Sequence, residues 1–158
     1  MSILTKKVSS RKELKTFVRF GNRLYKGNRY YVPCMPFDDM NTLDRTKNGA
    51  FEFCEAEYYL AYKDGELVGR VAAIVNYKAN QAWNVNQVRF GWIDFIDDME
   101  VSGALLDAVK AFGKKRGMTQ IVGPLGFTDF DPEGMLVEGF DRLSTMALIY
   151  NHPYYPEH

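Results

Sequence analysis

A mixed α/β fold is what this sequence predicts, and three observations carry the prediction. Two strand-like segments, Ala56–Lys63 and Leu67–Val75, flank Asp64-Gly65, the residue order of a tight hairpin turn. A strand–helix–strand unit follows over roughly residues 88–122, and an intervening helix is what lets two strands run parallel. An amphipathic helix stands ahead of both. Antiparallel and parallel pairing are therefore expected in one sheet, and 158 residues suit a single domain with a proper core.

Residues 3–8 have the composition of a first strand. Ser10 and Glu13 then have capping-box spacing, each side chain positioned to satisfy a backbone donor at a helix start. Leu14, Phe17, Val18, Gly21, Leu24 and Tyr25 recur on one helical face, while Lys12, Lys15, Arg19, Arg23 and Lys26 fall on the other. Gly27 to Phe53 reads as a loop holding Tyr30-Tyr31-Val32-Pro33, with a short second helix near Asp38–Arg45. Within Leu67–Val75 the apolar residues are nearly continuous, as in a central strand covered on both faces. A polar stretch with Asn76, Asn80, Asn84 and Asn86 leads to a third strand, Val88–Ile96.

Asp97 followed by Glu100 predicts the cap of the next helix, whose buried stripe is Val101, Ala104, Leu105, Ala108, Val109 and Phe112. Lys114, Lys115 and Arg116 suit its negative end and Gly117 its stop, before a short parallel strand at Thr119–Val122. Beyond Gly123-Pro124 the chain is loop-rich, and Asp131-Pro132-Glu133-Gly134 has the order of a type I turn.

Composition excludes several classes of function. A hydrophobic share of 46% with 25% charged residues is globular, not disordered. Twenty basic against 20 acidic residues remove the simplest argument for a nucleic acid or membrane partner. No apolar run is long enough to span a bilayer. Cys34 and Cys54 lack a neighbouring His or helix start that would activate a thiol, so reduced, unreactive cysteines in a cytoplasmic protein are expected. His152 and His158 give no zinc-ligand spacing, and no metal is expected. The aromatic share of 15% exceeds what a core needs and predicts a groove or partner surface.

Several phrases look like one family: Ala61-Tyr62-Lys63-Asp64-Gly65, Val68-Gly69-Arg70-Val71-Ala72-Ala73-Ile74, Gly91-Trp92-Ile93-Asp94-Phe95 and Gly123-Pro124-Leu125-Gly126-Phe127-Thr128. So do Gly134-Met135-Leu136-Val137-Glu138-Gly139-Phe140-Asp141 and Tyr150-Asn151-His152-Pro153-Tyr154-Tyr155. Together, and over nearly the whole chain, they resemble an uncharacterised bacterial family of GNAT-like proteins, the N-acetyltransferase fold. The resemblance implies that 1–158 is a single GNAT-like domain lacking the final helix and strand pair, the N-terminal part of a longer member. It also implies acetyl-CoA or another acyl-CoA as cofactor. The pantetheine arm would lie along Asp94, Phe95 and Ile96, and the pyrophosphate at a turn made by Met99, Val101, Ser102 and Gly103.

That turn departs from the basic, glycine-rich family pattern, because Asp97, Asp98 and Glu100 stand where phosphate would sit. Two functional readings follow. One is an acyltransferase acting on an unknown amine, with Asp94 as candidate base and Tyr150 as candidate acid; Tyr154 and Tyr155 are further hydroxyls of that kind. The other is a non-catalytic GNAT-like module that binds a small molecule, or a partner chain or second copy completing the sheet. By alternation alone, Asp94 could instead face solvent or pair with Arg89.

Overall fold

The computed structural model describes residues 2–145 and 148–158. Its elements are β1 (Leu4–Lys7), α1 (Arg11–Leu24), α2 (Pro36–Leu43), β2 (Cys54–Lys63), β3 (Glu66–Asn76), α3 (Tyr77–Trp83), β4 (Gln87–Phe95), α4 (Met99–Lys114) and β5 (Gln120–Val122). The strands form one sheet in the order β1-β2-β3-β4-β5. The first three junctions are antiparallel and β4–β5 is parallel, as a crossover through α4 requires.

β3 explains the layering. From Val68 to Asn76 every residue is buried, because the strand is covered on both faces. Val71, Ala73 and Val75 pack with Val101, Leu105, Val109 and Phe112 of α4. Ala72 and Ile74, pointing the other way, join Phe17 and Val18 of α1, Leu43 of α2 and Phe127. Arg70 shares the α1 side of the strand, so alternation buries a guanidinium where a hydrocarbon would be routine.

The helix ends obey capping chemistry, with two corrections to the sequence reading. Ser10 caps α1 as expected, its hydroxyl accepting from the Glu13 amide at 3.1 Å. For α4 the cap is Asp98 rather than Asp97: Asp98 accepts from the Glu100 amide at 2.9 Å, while Asp97 lies outside the helix. The polar stretch after β3 is also more than a connection. Asn76 accepts from the Ala79 amide and Asn84 closes the far end in a left-handed conformation, so the asparagines bound the short helix α3.

A third correction falls in the 123–134 loop. The turn closes over Thr128–Asp131, where the Asp131 amide donates to the Thr128 carbonyl at 3.1 Å. The Gly134 amide donates instead to the Pro124 carbonyl at 3.0 Å, so Asp131–Gly134 is not the hydrogen-bonded turn. Asp131 is spent as an acceptor for the amides of Phe127 and Thr128, at 2.8 and 3.2 Å.

Candidate functional site

The site begins with an irregularity in β4. Arg70 pairs with Asp94 and Ala72 with Gly91, so two steps along β3 are matched by three along β4. The extra residue is a bulge, and Trp92 within it has φ of +45°, a conformation costly for a bulky side chain. Beyond the bulge β4 parts from β5, whose pairing runs only from Gln87 to Arg89. Gly91 belongs to this geometry, since a Cβ there would collide with the Leu125 carbonyl.

Beside the bulge lies a cavity of about 320 Å³. Its walls come from the α1–α2 loop and the start of α2, from Trp92 and Ile93 of the bulge, and from residues between Pro124 and Tyr155. Arg70, Asp94, Tyr25 and Tyr155 also border it. Asn22 of α1 fixes one wall: it accepts from the Tyr31 hydroxyl and the Cys34 amide, and donates to the Cys34 carbonyl.

The floor is a closed polar network. Arg70 donates through Nε and Nη2 to Asp94 Oδ2 at 3.0 and 2.7 Å, and through Nη1 to the Phe17 and Val18 carbonyls of α1. Asp94 Oδ1 accepts from the hydroxyls of Tyr155 at 2.7 Å and Tyr25 at 3.1 Å. Gly21 makes room for this, because a Cβ there would lie 2.5 Å from Arg70 Nη2. Asp94 is thus buried and paired with Arg70 rather than facing solvent or pairing with Arg89, which donates to the Gly126 and Phe127 carbonyls. Both Asp94 oxygens are already engaged. Burial and the neighbouring carboxylate push the Tyr25 and Tyr155 hydroxyls well above their usual range, so both stay protonated.

Tyr150, the other catalytic candidate, lines the same cavity. Its hydroxyl accepts from Asn28 and donates to the Phe140 carbonyl at 2.9 Å. His152 stands outside the cavity wall, stacked between Tyr25 and Tyr154 at 4.5 and 5.1 Å, and burial lowers its pKa. Cys34 lines the cavity but is a poor nucleophile, since burial and the nearby Asp39 push its thiol up to about 12. Cys54 is buried in the sheet, with its thiol raised to about 11 by desolvation.

The predicted cofactor residues lie along the free side of β4 and at the start of α4. Phe95 donates its amide to the Tyr155 hydroxyl at 3.2 Å, and its carbonyl accepts from the Tyr154 hydroxyl at 2.5 Å. The Ile96 amide is turned inward to the Val68 carbonyl. The Asp98 side chain accepts from the Glu100 amide and its backbone carbonyl from the amides of Val101 and Ser102, and the Ser102 hydroxyl lies 3.0 Å from His158 Nδ1. Val101 is buried in the core, whereas Met99 is exposed and the space beside Gly103 is open. The acidic turn also holds a cation invisible to local sequence reading: Lys63, from the end of β2, donates to Asp98 Oδ2 at 2.5 Å.

Sequence reasoning missed Arg70. The signal was a lone arginine in a run of buried-strand residues, which demands an acidic partner on a neighbouring strand. Among the described residues no group of His, Cys, Asp and Glu side chains is arranged to hold a metal ion, and no helix is long and apolar enough to cross a membrane.

No protein-family model matches the chain. It is 30% identical over 149 residues to Protein YghO of Escherichia coli strain K12, covering 94% of this chain and 38% of that protein. It is 29% identical over 144 residues to the bacterial ceramide synthase of Caulobacter vibrioides, covering 90% of this chain and 37% of that one. The chain therefore spans somewhat over a third of the length of these curated relatives. Among solved structures, a Clostridium acetobutylicum predicted acetyltransferase with acetyl-CoA superposes with a TM-score of 0.55 at 10% identity, over 78% of this chain and 81% of that one. A tandem GNAT protein from the clavulanic acid biosynthesis pathway gives 0.56 at 10% identity, over 76% and 35%. The fold is that of the GNAT acetyltransferases.

Proposed function

We propose that this chain is the acyl-CoA-handling unit of an N-acyltransferase whose acceptor is an amine. The observation that carries this reading is the bulge at Trp92, which parts β4 from β5 between an open-mouthed cavity and the start of α4. An acyl thioester placed along Phe95 would lie beside that cavity. The amine nitrogen attacks the thioester carbonyl, the C–N bond forms, the C–S bond breaks, and the amine proton ends on the leaving thiol. The named function of the Caulobacter relative supports the reading, since ceramide synthesis joins an acyl group to an amine.

The chain fits the pantetheine arm better than the pyrophosphate. Phe95 offers one amide donor and one carbonyl acceptor, now held by tyrosine hydroxyls that a peptide-like arm could replace. Ile96 adds no free backbone group to this edge, since its amide donates to the Val68 carbonyl and its carbonyl accepts from the Asp98 amide. At the helix start the Asp98 side chain has taken the amide of Glu100, and its carbonyl those of Val101 and Ser102. A phosphate there falls to the Met99 amide and the open face at Gly103, with Lys63 supplying the positive charge. Asp94 acts by holding Tyr155 and Tyr25 in place, and Tyr150 lines the acceptor side.

Calorimetric titration with acetyl-CoA and longer acyl-CoA thioesters, followed by a thiol-release assay with mixed amines, tests the proposal. Binding with amine-dependent thiol release is the expected result. No heat at high micromolar ligand overturns it, and binding without thiol release favours the non-catalytic module instead.

A further inference from the structure

The composition of the cavity says more than that an amine binds. Its wall is mostly hydrocarbon and ring, including Val32, Trp92, Ile93 and Ile149. Met35 and Leu148 are also wall residues, yet each is 68% exposed, so the apolar surface continues out over the lip. Phe37, between wall residues Met35 and Asp38, is 70% exposed. Apolar residues both inside a cavity and at its rim fit a ligand with a long apolar chain.

The charges in the cavity are unevenly placed. On the floor Arg70 and Asp94 neutralise each other at 2.7 Å. The other charged wall residues are both acids, Asp38 exposed at the lip and Asp39 half-buried beside Cys34. Asp129, Glu133, Glu138 and Asp141 are exposed on the adjoining loop. A ligand in this site meets hydrocarbon along its length and negative potential at its mouth.

We infer that the cavity holds the alkyl chain of an amphipathic primary amine, with the ammonium group at the mouth beside Asp38 and Asp39. The role of that amine as acyl acceptor rests on the acyl-transfer reading; its binding does not. At ~30 Å³ for each small group, the cavity accommodates on the order of ten carbons, and a longer chain continues over Met35 and Leu148.

The test is calorimetry of this chain with butyl-, hexyl-, octyl- and decylamine below their micelle concentrations, alongside the matching alcohols. Affinity should rise about fourfold per methylene, and each amine should bind at least about tenfold more tightly than its alcohol. Asp38→Asn with Asp39→Asn should erase the amine preference and keep the chain-length slope. Ile149→Trp should flatten the slope, with thermal unfolding to verify that the variant is folded; Leu148→Ser provides a milder second variant. Affinity independent of chain length, or alcohols binding as well as amines, overturns the inference. Acyl transfer to short polar amines alone also overturns it while sparing the acyltransferase reading. Tight alkylamine binding with no thiol release does the reverse.

Discussion

The two halves of β4 are built to different ends. From Gln87 to Arg89 the strand is paired with β5, joined by β3 from Arg89 onward, and Val88 is buried against the α4 side of the core. From Gly91 to Phe95 it keeps β3 but loses β5, and hydroxyls of Tyr154 and Tyr155 take the freed backbone of Phe95. Backbone pairing satisfies peptide groups without regard to sequence, so the first half tolerates change wherever packing allows. Side-chain pairing depends on particular residues. The second half is therefore where single substitutions should cost most.

Asp94→Ala is the most severe way to break the contrast. It leaves the Arg70 guanidinium buried and short of its carboxylate, and strips the Tyr25 and Tyr155 hydroxyls of their acceptor. Removing one partner of a buried pair costs about 3–5 kcal/mol. Urea unfolding should register a loss of that size. A loss below about 1 kcal/mol would mean that Arg70 reaches solvent and the network is not a closed floor.

Tyr155→Phe keeps the ring stacked on Phe95 at 4.4 Å and removes only the hydroxyl that joins Asp94, Tyr25 and the Phe95 amide. Leaving buried polar groups short of a partner predicts a loss of about 1–3 kcal/mol in the same measurement. The variant also frees the Phe95 amide, so acyl-CoA binding should be unchanged or tighter. Weaker binding would make Tyr155 a ligand-contacting group instead of a stand-in for one.

Much of the first half was legible in the sequence, and little of the second. Alternation and caps are local, so the strand pair around Asp64-Gly65, the stripe of α4 and the Ser10 cap could be read from a few neighbouring residues. The Arg70–Asp94 pair spans 24 positions, and its formation depends on a bulge that shifts register by one residue. Alternation gave Asp94 a side of the strand but no partner, and Arg89 was a far nearer choice in sequence than Arg70. The Asp98 cap was off by one because Asp97 and Asp98 are chemically identical; only the helix phase distinguishes them. Helix α3 was missed because its asparagines read as loop, although Asn76 and Asn84 sit at the positions where asparagine ends a helix.

The start of α4 gives the next comparison. Asp98→Ala deletes a cap bond to Glu100 and the acceptor of Lys63, at a half-buried place. A cap is worth about 1 kcal/mol, well below the effect of Asp94 four residues earlier. The same variant removes a carboxylate from the proposed phosphate position, so any acyl-CoA affinity should rise. An unchanged affinity would place the pyrophosphate elsewhere.

Asp131 tests the loop beside the half of β4 that pairs with β5, where the smallest effect is expected. Burial raises its pKa above the ordinary 3.8, partly opposed by the amides of Thr128 and Phe127. A folded-state pKa above the unfolded value means the native protein binds more protons in the window between them. Its contribution to stability is then full below 3.8 and is lost as pH rises through the folded value. Asp131→Asn has no such titration and retains an acceptor for the two amides, so at neutral pH it should match the parent within about 0.5 kcal/mol. Urea midpoints of both proteins, measured across the acid range, should show the parent gaining on the variant as pH falls. Acids elsewhere in the fold are common to both and cancel. A difference that grows in the opposite direction would mean that the two amides outweigh burial and hold Asp131 ionised, making the loop beside the first half of β4 as dependent on a charged side chain as the floor of the cavity.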